Sequence, residues 1–314
     1  MTIAALPAGD DHVPVLLSEA IDGLALAPGS DCIDGTLGGA GHAAALLSAT
    51  APNGRLLGLD ADPEALRRAQ ARLAEFGERA LMVQANFRDI ATVAVLHGFA
   101  EVGAVLLDLG ISWNQLSSAE RGFSFQTTGP LDMRMDPRSA LTAGEIVNEW
   151  TADELANLLY RYGEESQSRR LARAIVAARP LSTTAELAGV VSRSMGRRTH
   201  YRIHPATKVF QALRIAVNDE LGALEAALSQ VPGLLKPGGR LAVITFHSLE
   251  DRIVKQFVQR EVRDCLCPPD FPVCRCEHTA TLRAITGRPI CPSAAEIKAN
   301  PRSRSAKLRI AERL

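Results

Sequence analysis

Aromatic side chains are scarce in this chain: two Trp, three Tyr and nine Phe among 314 residues. That is too few to stack an extended single strand, so any nucleic acid must be recognised by shape and phosphate contacts. Net charge is also lacking, because 35 basic residues balance 35 acidic ones. A polyanion can therefore be met only by local patches. No apolar run reaches transmembrane length, and no basic stretch with a long apolar segment opens the chain. The expectation is a soluble, cytoplasmic protein without a membrane partner. Internal repeats and low-complexity tracts are missing as well. Cysteine is nearly absent before position 265: only Cys32 precedes Cys265, Cys267, Cys274, Cys276 and Cys291. In a reducing compartment such late crowding favours metal or free thiols over disulfides.

What is present is apolar content, 46% of the residues, enough for one large core plus a smaller one. The most informative segment is Asp34-Gly35-Thr36-Leu37-Gly38-Gly39-Ala40-Gly41-His42, directly after the apolar pair Cys32-Ile33. A second apolar run, Leu56 to Leu59, ends in Asp60. Strand, glycine turn, helix and acid-tipped strand describe a nucleotide-binding α/β unit, with Asp60 placed for a ribose diol. The glycines alone also satisfy a dinucleotide pattern. Asp34 separates the two readings: a carboxylate there repels a pyrophosphate and suits the ammonium of S-adenosylmethionine.

Strand-like runs near 31–34, 55–60, 80–85 and 102–108 alternate with helical patterns. One of these helices spans Pro63 to Phe76, with Asp62 as its cap and Pro63 in its first turn. Alternation of this kind predicts a parallel sheet covered on both faces. The rhythm stops after Asp108 and returns at Arg240 to Phe246. Between them lie helical patterns at Thr151 to Tyr162, Ser168 to Ala178, Thr184 to Ser194 and Ala206 to Leu228. We therefore expect a discontinuous parent domain, 1–114 and 206–314, interrupted by a helical insertion at 115–205. A helix from Leu249 to Val262 and strands at Thr279 to Ile285 and Ser305 to Ala311 complete the pattern. Seven strands with the last two antiparallel fit a class I methyltransferase better than a six-stranded dehydrogenase.

Asp34, Asp60 and Asp108 each end a predicted strand, so all three are expected in one crevice beyond the strands' carboxyl ends. Taken singly, each acid reads equally well as a helix or turn cap. Phe87 offers a ring for an adenine face or simply a core aromatic. His247 follows the fifth strand and could orient a base or accept a proton, or be a structural histidine. The loop Gly129 to Asp136 alternates charges with large apolar residues and could close over a base. Basic residues are segregated. Arg193, Arg197, Arg198, Arg202, Lys208 and Arg214 lie in an acid-free stretch, and Lys298, Arg302, Arg304, Lys307, Arg309 and Arg313 crowd the tail. Such patches suit phosphate backbones. Cys265-Leu266-Cys267 and Cys274-Arg275-Cys276 could hold zinc, with His278 or Cys291 as substitutes. C-x-C spacing is less typical of zinc than C-x-x-C, and no metal is assigned.

The motifs His12 to Glu19, Asp34 to His42, Asp108-Leu109-Gly110, Arg121 to Phe125 and Gly129 to Asp136 together resemble the bacterial RsmH (MraW) family. So do Tyr162 to Glu165, His204 to Thr207, Phe210 to Ile215, Phe246 to Lys255 and Asn300 to Ser305. The resemblance covers nearly the whole chain. It implies an S-adenosylmethionine-dependent 16S rRNA (cytosine-N4)-methyltransferase acting in the decoding region of the small ribosomal subunit. The implied fold is α/β, a Rossmann-like seven-stranded sheet with an inserted all-helical domain. The implied cofactor contacts are Ala40, Gly41, His42, Asp60, Phe87, Asp108 and Gln115. Ala40 stands where the family usually has glycine, so its backbone is expected to avoid glycine-only conformations. Trp113-Asn114 replaces a small residue and proline.

For the chemistry, an amine delocalised into a cytosine ring needs acceptors on its N–H groups rather than a strong base. Asp108 or its neighbouring carbonyls are expected in that role, with His247 second and the target base unstacked. A dehydrogenase, a non-catalytic RNA-binding protein and a DNA amino-methyltransferase are the competing readings, and the state of oligomerisation is left open as monomer or dimer.

Overall fold

The computed structural model describes residues 14–196, 204–268, 271 and 273–314. His12, Val13, Arg197, Arg198 and Arg202, invoked above, lie outside them. Seven strands are found among the described residues: β1 Cys32–Asp34, β2 Leu56–Asp60, β3 Ala80–Gln84, β4 Val102–Asp108, β5 Leu235–Thr245, β6 Leu282–Ala284 and β7 Lys307–Arg313. They form one sheet in the order β3-β2-β1-β4-β5-β7-β6. The first five are parallel, while β7 runs antiparallel to both β5 and β6. The expected antiparallel pairing of the last two strands is therefore present. The chain builds outward from β1 through β2 and β3, then crosses to β4 on the other side. A crevice opens at that reversal, between the carboxyl ends of β1 and β4.

Helices cover both faces. They begin with α1 Leu17–Leu24, α2 Gly41–Ala49, α3 Pro63–Arg72 and α4 Ile90–Leu96. After β4 come α5 Trp113–Ser117, α6 Ala143–Glu149, α7 Ala152–Gly163, α8 Ser168–Ala177, α9 Thr184–Met195, α10 Ala206–Asn218 and α11 Glu220–Leu234. The chain finishes with α12 Ser248–Glu261 and α13 Ala294–Ala299. Strand β4 shows how the layers arise. Ala104 and Leu106 pack into one buried cluster with α1 and α2, while Val105 and Leu107 pack into the other with α4 and α11. Both faces are covered, so β4 is apolar almost throughout.

A third buried cluster is purely helical. It draws on α6 to α10 and on Phe123, Leu131 and Met133 from the loop before them. Capping boxes start its helices: Thr142 with Glu145, Thr151 with Glu154, and Thr183 with Glu186. At the α7–α10 crossing, a Cβ on Gly163 would come within 2.8 Å of the Lys208 carbonyl, so only glycine allows this approach.

The single helix expected from Ala206 to Leu228 is two. Asp219 adopts a left-handed conformation, φ 46° and ψ 46°, and separates α10 from α11. Tertiary contacts outweigh helix propensity there. The Asn218 side chain accepts from Met135 N at 2.7 Å and donates to Met133 O at 2.8 Å, and Asp219 pairs with Arg88 at 2.6 Å. The break divides the packing: α10 lies in the helical cluster and α11 on the sheet. Strand β5 is also longer than predicted, because Lys236 to Gly239 loops out of its register with β4. Among the described residues no helix is long and apolar enough to cross a membrane.

Candidate active site

A cleft of about 1170 Å³ opens at the carboxyl ends of β1, β2 and β4. Its floor is the turn after β1. Gly38, at φ 48°, directs its N–H to Asp60 Oδ2 at 2.9 Å, and Asp60 Oδ1 accepts from Asp62 N at 2.9 Å. Gly41, His42, Asp60, Phe87, Asp108 and Gln115 all line this cleft, as expected from the sequence. Phe87 follows Asn86, whose side chain caps the short turn Phe87–Asp89.

Three expected residues are elsewhere. Ala40 is fully buried in the core beneath α2 and does not line the cleft. Its backbone, at φ 56° and ψ 21°, is left-handed, contrary to the expectation that alanine would exclude such a conformation. Asp34 is 1% exposed and lies under the floor rather than in the crevice. Its Oδ1 accepts from Thr36 N at 3.0 Å, and Thr36 Oγ1 in turn accepts from Asp108 N at 2.6 Å. Asp34 thus positions the end of β4 through Thr36, a role that no sequence pattern announces. His247 is absent from the cleft lining, whereas its neighbours Phe246 and Glu250 belong to it. It caps α12 and approaches Glu250 Oε1 with Nε2 at 3.0 Å. Placement at a helix start makes it a positioning residue.

Burial dominates the electrostatics. Asp34 is pushed up to about 7 by desolvation and by the Asp60 charge, against the lowering effect of its Thr36 bonds. Asp60 is raised to about 6, again mainly by burial, although its two backbone amides oppose this. Asp108 is raised well above the usual carboxylate range by desolvation, then by Asp34 and Glu250. Asp34 Oδ2 and Asp108 Oδ1 are buried without a hydrogen-bond partner among the described residues. Three acids under strain from like charge and desolvation form a site that favours a cationic ligand.

Asp62 is the hub of the cleft wall and was read from the sequence only as a helix cap. It does cap α3, accepting from Glu64 N at 3.0 Å. Its Oδ2 also accepts from Gln115 Nε2 at 2.8 Å and Arg121 Nη1 at 2.9 Å. The Gln115 carbonyl oxygen in turn accepts from Ser112 N, closing the capping box of α5. Arg121 continues to the carbonyls of Arg134 and Met135 at 2.9 and 3.0 Å, tying the loop 129–136 to the wall. Within that loop Asp132 and Arg134 pair with each other, and Met135 and Asp136 reach the cleft. Trp113 begins α5 and lies 3.6 Å beneath the Arg302 guanidinium.

Several basic residues expected to form patches are paired internally. Arg214 binds Glu220 at 2.7 and 2.9 Å, and Lys208 lies 3.8 Å from Glu165. Lys307 and Arg309 both bind Asp251, at 2.9 and 2.7 Å. Arg302 and Arg304 line the cleft, as does the paired Arg214.

The sheet order and the acid-rich crevice at its switch point define a class I S-adenosylmethionine-dependent methyltransferase. Asp60 and the Asp108 carboxylate, whose Oδ1 has no hydrogen-bond partner among the described residues, line the cleft and fit a ligand that carries a diol and positive charge. The chain belongs to the MraW methylase family, whose model matches residues 10–314. It is 55% identical over 311 residues to the ribosomal RNA small subunit methyltransferase H of Thermomicrobium roseum, covering 98% of this chain and 95% of that relative. Its similarity to the protein of the same description from Symbiobacterium thermophilum is 50% identity over 307 residues, 96% of each chain. The solved structure of an rRNA methylase from Streptococcus thermophilus aligns with a TM-score of 0.44 at 12% identity, over 96% of this chain and 99% of that one.

Proposed function

We propose that this protein methylates the exocyclic N4 amine of a cytosine in the decoding region of 16S rRNA within the small ribosomal subunit. The descriptions of its relatives support small-subunit RNA as the substrate. The observation that carries the atom choice is Asp108, a cleft carboxylate at the end of β4 whose Oδ1 has no hydrogen-bond partner among the described residues.

S-adenosylmethionine supplies an electrophilic methyl group on a sulfonium. Gly41, His42, Asp60, Phe87, Asp108 and Gln115 line the cleft and would hold it, Asp60 offering an acceptor for a ribose diol and Phe87 a ring face for the adenine. The rest is the work of the chain's own groups. The N4 lone pair is delocalised into the ring, so an acceptor on its N–H favours the pyramidal geometry needed for attack. Asp108 provides that acceptor. Burial makes its ionised form costly in the free cleft, so charge developing on the amine is compensated where the carboxylate most needs a cation. The proton leaves from an already acidic ammonium, and no strong base is needed.

The helical unit at 115–205, extended by α10, serves as the RNA-recognition element, and Arg302 and Arg304 at the cleft provide phosphate contacts. The base must leave its stack to reach the cleft.

The test is transfer of labelled methyl to small subunits from a strain lacking this gene, with free 16S rRNA and duplex DNA alongside and mass spectrometry of the product nucleoside. N4-methylcytidine in small-subunit RNA supports the reading. Label in DNA, or on another atom, overturns it.

A further inference from the structure

The geometry points to a structural zinc ion held by Cys265, Cys267, Cys274 and Cys276 in the connection between α12 and β6. The four sulfurs converge, all within 4.8 Å of one another. Three measured edges are 3.4 Å for Cys265–Cys274, 3.6 Å for Cys274–Cys276 and 3.7 Å for Cys276–Cys265. A tetrahedron of thiolates at the usual Zn–S distance of about 2.3 Å has edges of about 3.8 Å. A disulfide instead requires sulfurs at about 2.05 Å, and all six cysteines are free. The arrangement is that of a metal cage and not of two crosslinks.

Two further observations agree. Backbone N–H groups point at the sulfurs: Leu266 N to Cys276 at 3.2 Å, Arg275 N to Cys267 at 3.3 Å and Cys267 N to Cys265 at 3.4 Å. Donors to sulfur are what stabilise metal-bound thiolates and orient them. Second, no described residue between Val262 and Thr281 is buried. The segment has no apolar core to hold its turns, and a metal supplies that stability in small or coreless units. The sequence weighed His278 and Cys291 as substitute ligands. His278 Nε2 lies 3.1 Å from the Arg260 carbonyl, and Cys291 is outside the cluster.

Binding is balanced as four thiols and one Zn²⁺ giving a tetrathiolate of charge 2− and four released protons. The site lies outside the cleft, so its role is to fix the loop between α12 and β6 and not to act in methyl transfer.

The experiment is elemental analysis of the full chain, purified under reducing conditions without added chelator, followed by replacement of the metal with Co²⁺. One zinc per chain and the absorption of tetrahedral cobalt thiolate are expected. A Cys265→Ser/Cys276→Ser variant should lose the metal and become sensitive to proteolysis between Arg263 and Thr281. Its affinity for S-adenosylhomocysteine should stay within about twofold, which shows that the methyltransferase fold survives. Less than a tenth of an equivalent of zinc together with no cobalt spectrum overturns the proposal. So does mass spectrometry showing the four cysteines as disulfides in freshly isolated protein, or a variant that retains the metal.

Discussion

His42 Nδ1 stands 3.5 Å from Asp108 Oδ2, while its Nε2 lies 3.1 Å from the carbonyl of Val15. A carbonyl only accepts, so Nε2 carries a proton. Beside that ring, burial and then the charges of Asp34 and Glu250 raise the affinity of Asp108 for a proton. The segment before α1 and the end of β4 are thus joined, through one imidazole, at the wall of the cleft.

The Asp108 carboxylate can be tested directly. Asp108→Ala should lower kcat on small subunits by 10²–10³-fold, the usual cost of removing one preorganised group that meets transition-state charge. Asp108→Asn keeps an acceptor oxygen but loses the charge, so about tenfold is expected. The 3.5 Å approach of the two side chains makes the effects of His42→Gln and Asp108→Asn non-additive, which a double-mutant cycle in single-turnover methyl transfer would show. Full turnover by Asp108→Ala would sink the assignment.

The acids also set a pH dependence with two opposite signs. Asp60 is raised to about 6 and Asp34 to about 7 in the folded chain, both mainly by burial. The folded state therefore holds more protons than the unfolded one between pH 4 and 7, and stability without ligand falls as pH rises through that window. Ligand binding runs the other way, because a ribose diol donates to the ionised form of Asp60, the cleft-lining acid of the two. Affinity for S-adenosylhomocysteine should weaken about tenfold per pH unit below 6 and level off above it. Calorimetric titrations at pH 5, 6, 7 and 8, with Asp60→Asn as the flat comparison, read the effect. An affinity independent of pH would show that Asp60 does not contact the ligand's polar groups.

The sheet was legible because strands buried on both faces leave uninterrupted apolar runs, and because Asp60 and Asp108 end two of them. Asp34 misled for the same reason: ending a strand does not say whether a side chain opens into the crevice or turns beneath it. The break at Asp219 was hidden because long-range bonds from Asn218 to Met133 and Met135 override a continuous helical pattern. The family resemblance pointed to Gln115 as a cofactor contact, and nothing in the sequence gave a sign that Asp62 holds its amide. Pairing across 53 and 59 positions, from Asp62 to Gln115 and Arg121, has no local signature.

That pairing predicts a large cost at Asp62. The side chain is 0% exposed and serves three donors. Asp62→Ala leaves the Arg121 guanidinium and the Gln115 amide without their acceptor and removes a helix cap. A destabilisation on the order of 3–5 kcal/mol is expected from the broken ion pair. Asp62→Asn should rescue little. If its oxygen caps Glu64 N, its own NH₂ faces two donors. Urea midpoints of the three proteins decide the matter, and an Asn variant as stable as the parent would show that the network is dispensable.

At Ala40 two effects of similar size oppose each other. The left-handed backbone costs alanine about 1 kcal/mol, which glycine does not incur. Yet the Ala40 methyl is fully buried in the core, and removing one such group forfeits about 0.8 kcal/mol. Ala40→Gly should therefore change stability by less than about 1 kcal/mol in either direction, measured by urea unfolding. Cofactor affinity should be unchanged, because the methyl faces the core and not the cleft. A bulkier Ala40→Val keeps the strained backbone, adds branching at Cβ and overfills the pocket, at a cost of about 1–3 kcal/mol. A glycine variant that bound S-adenosylhomocysteine several-fold more tightly would instead show that the alanine holds the turn in a geometry ill suited to the ligand.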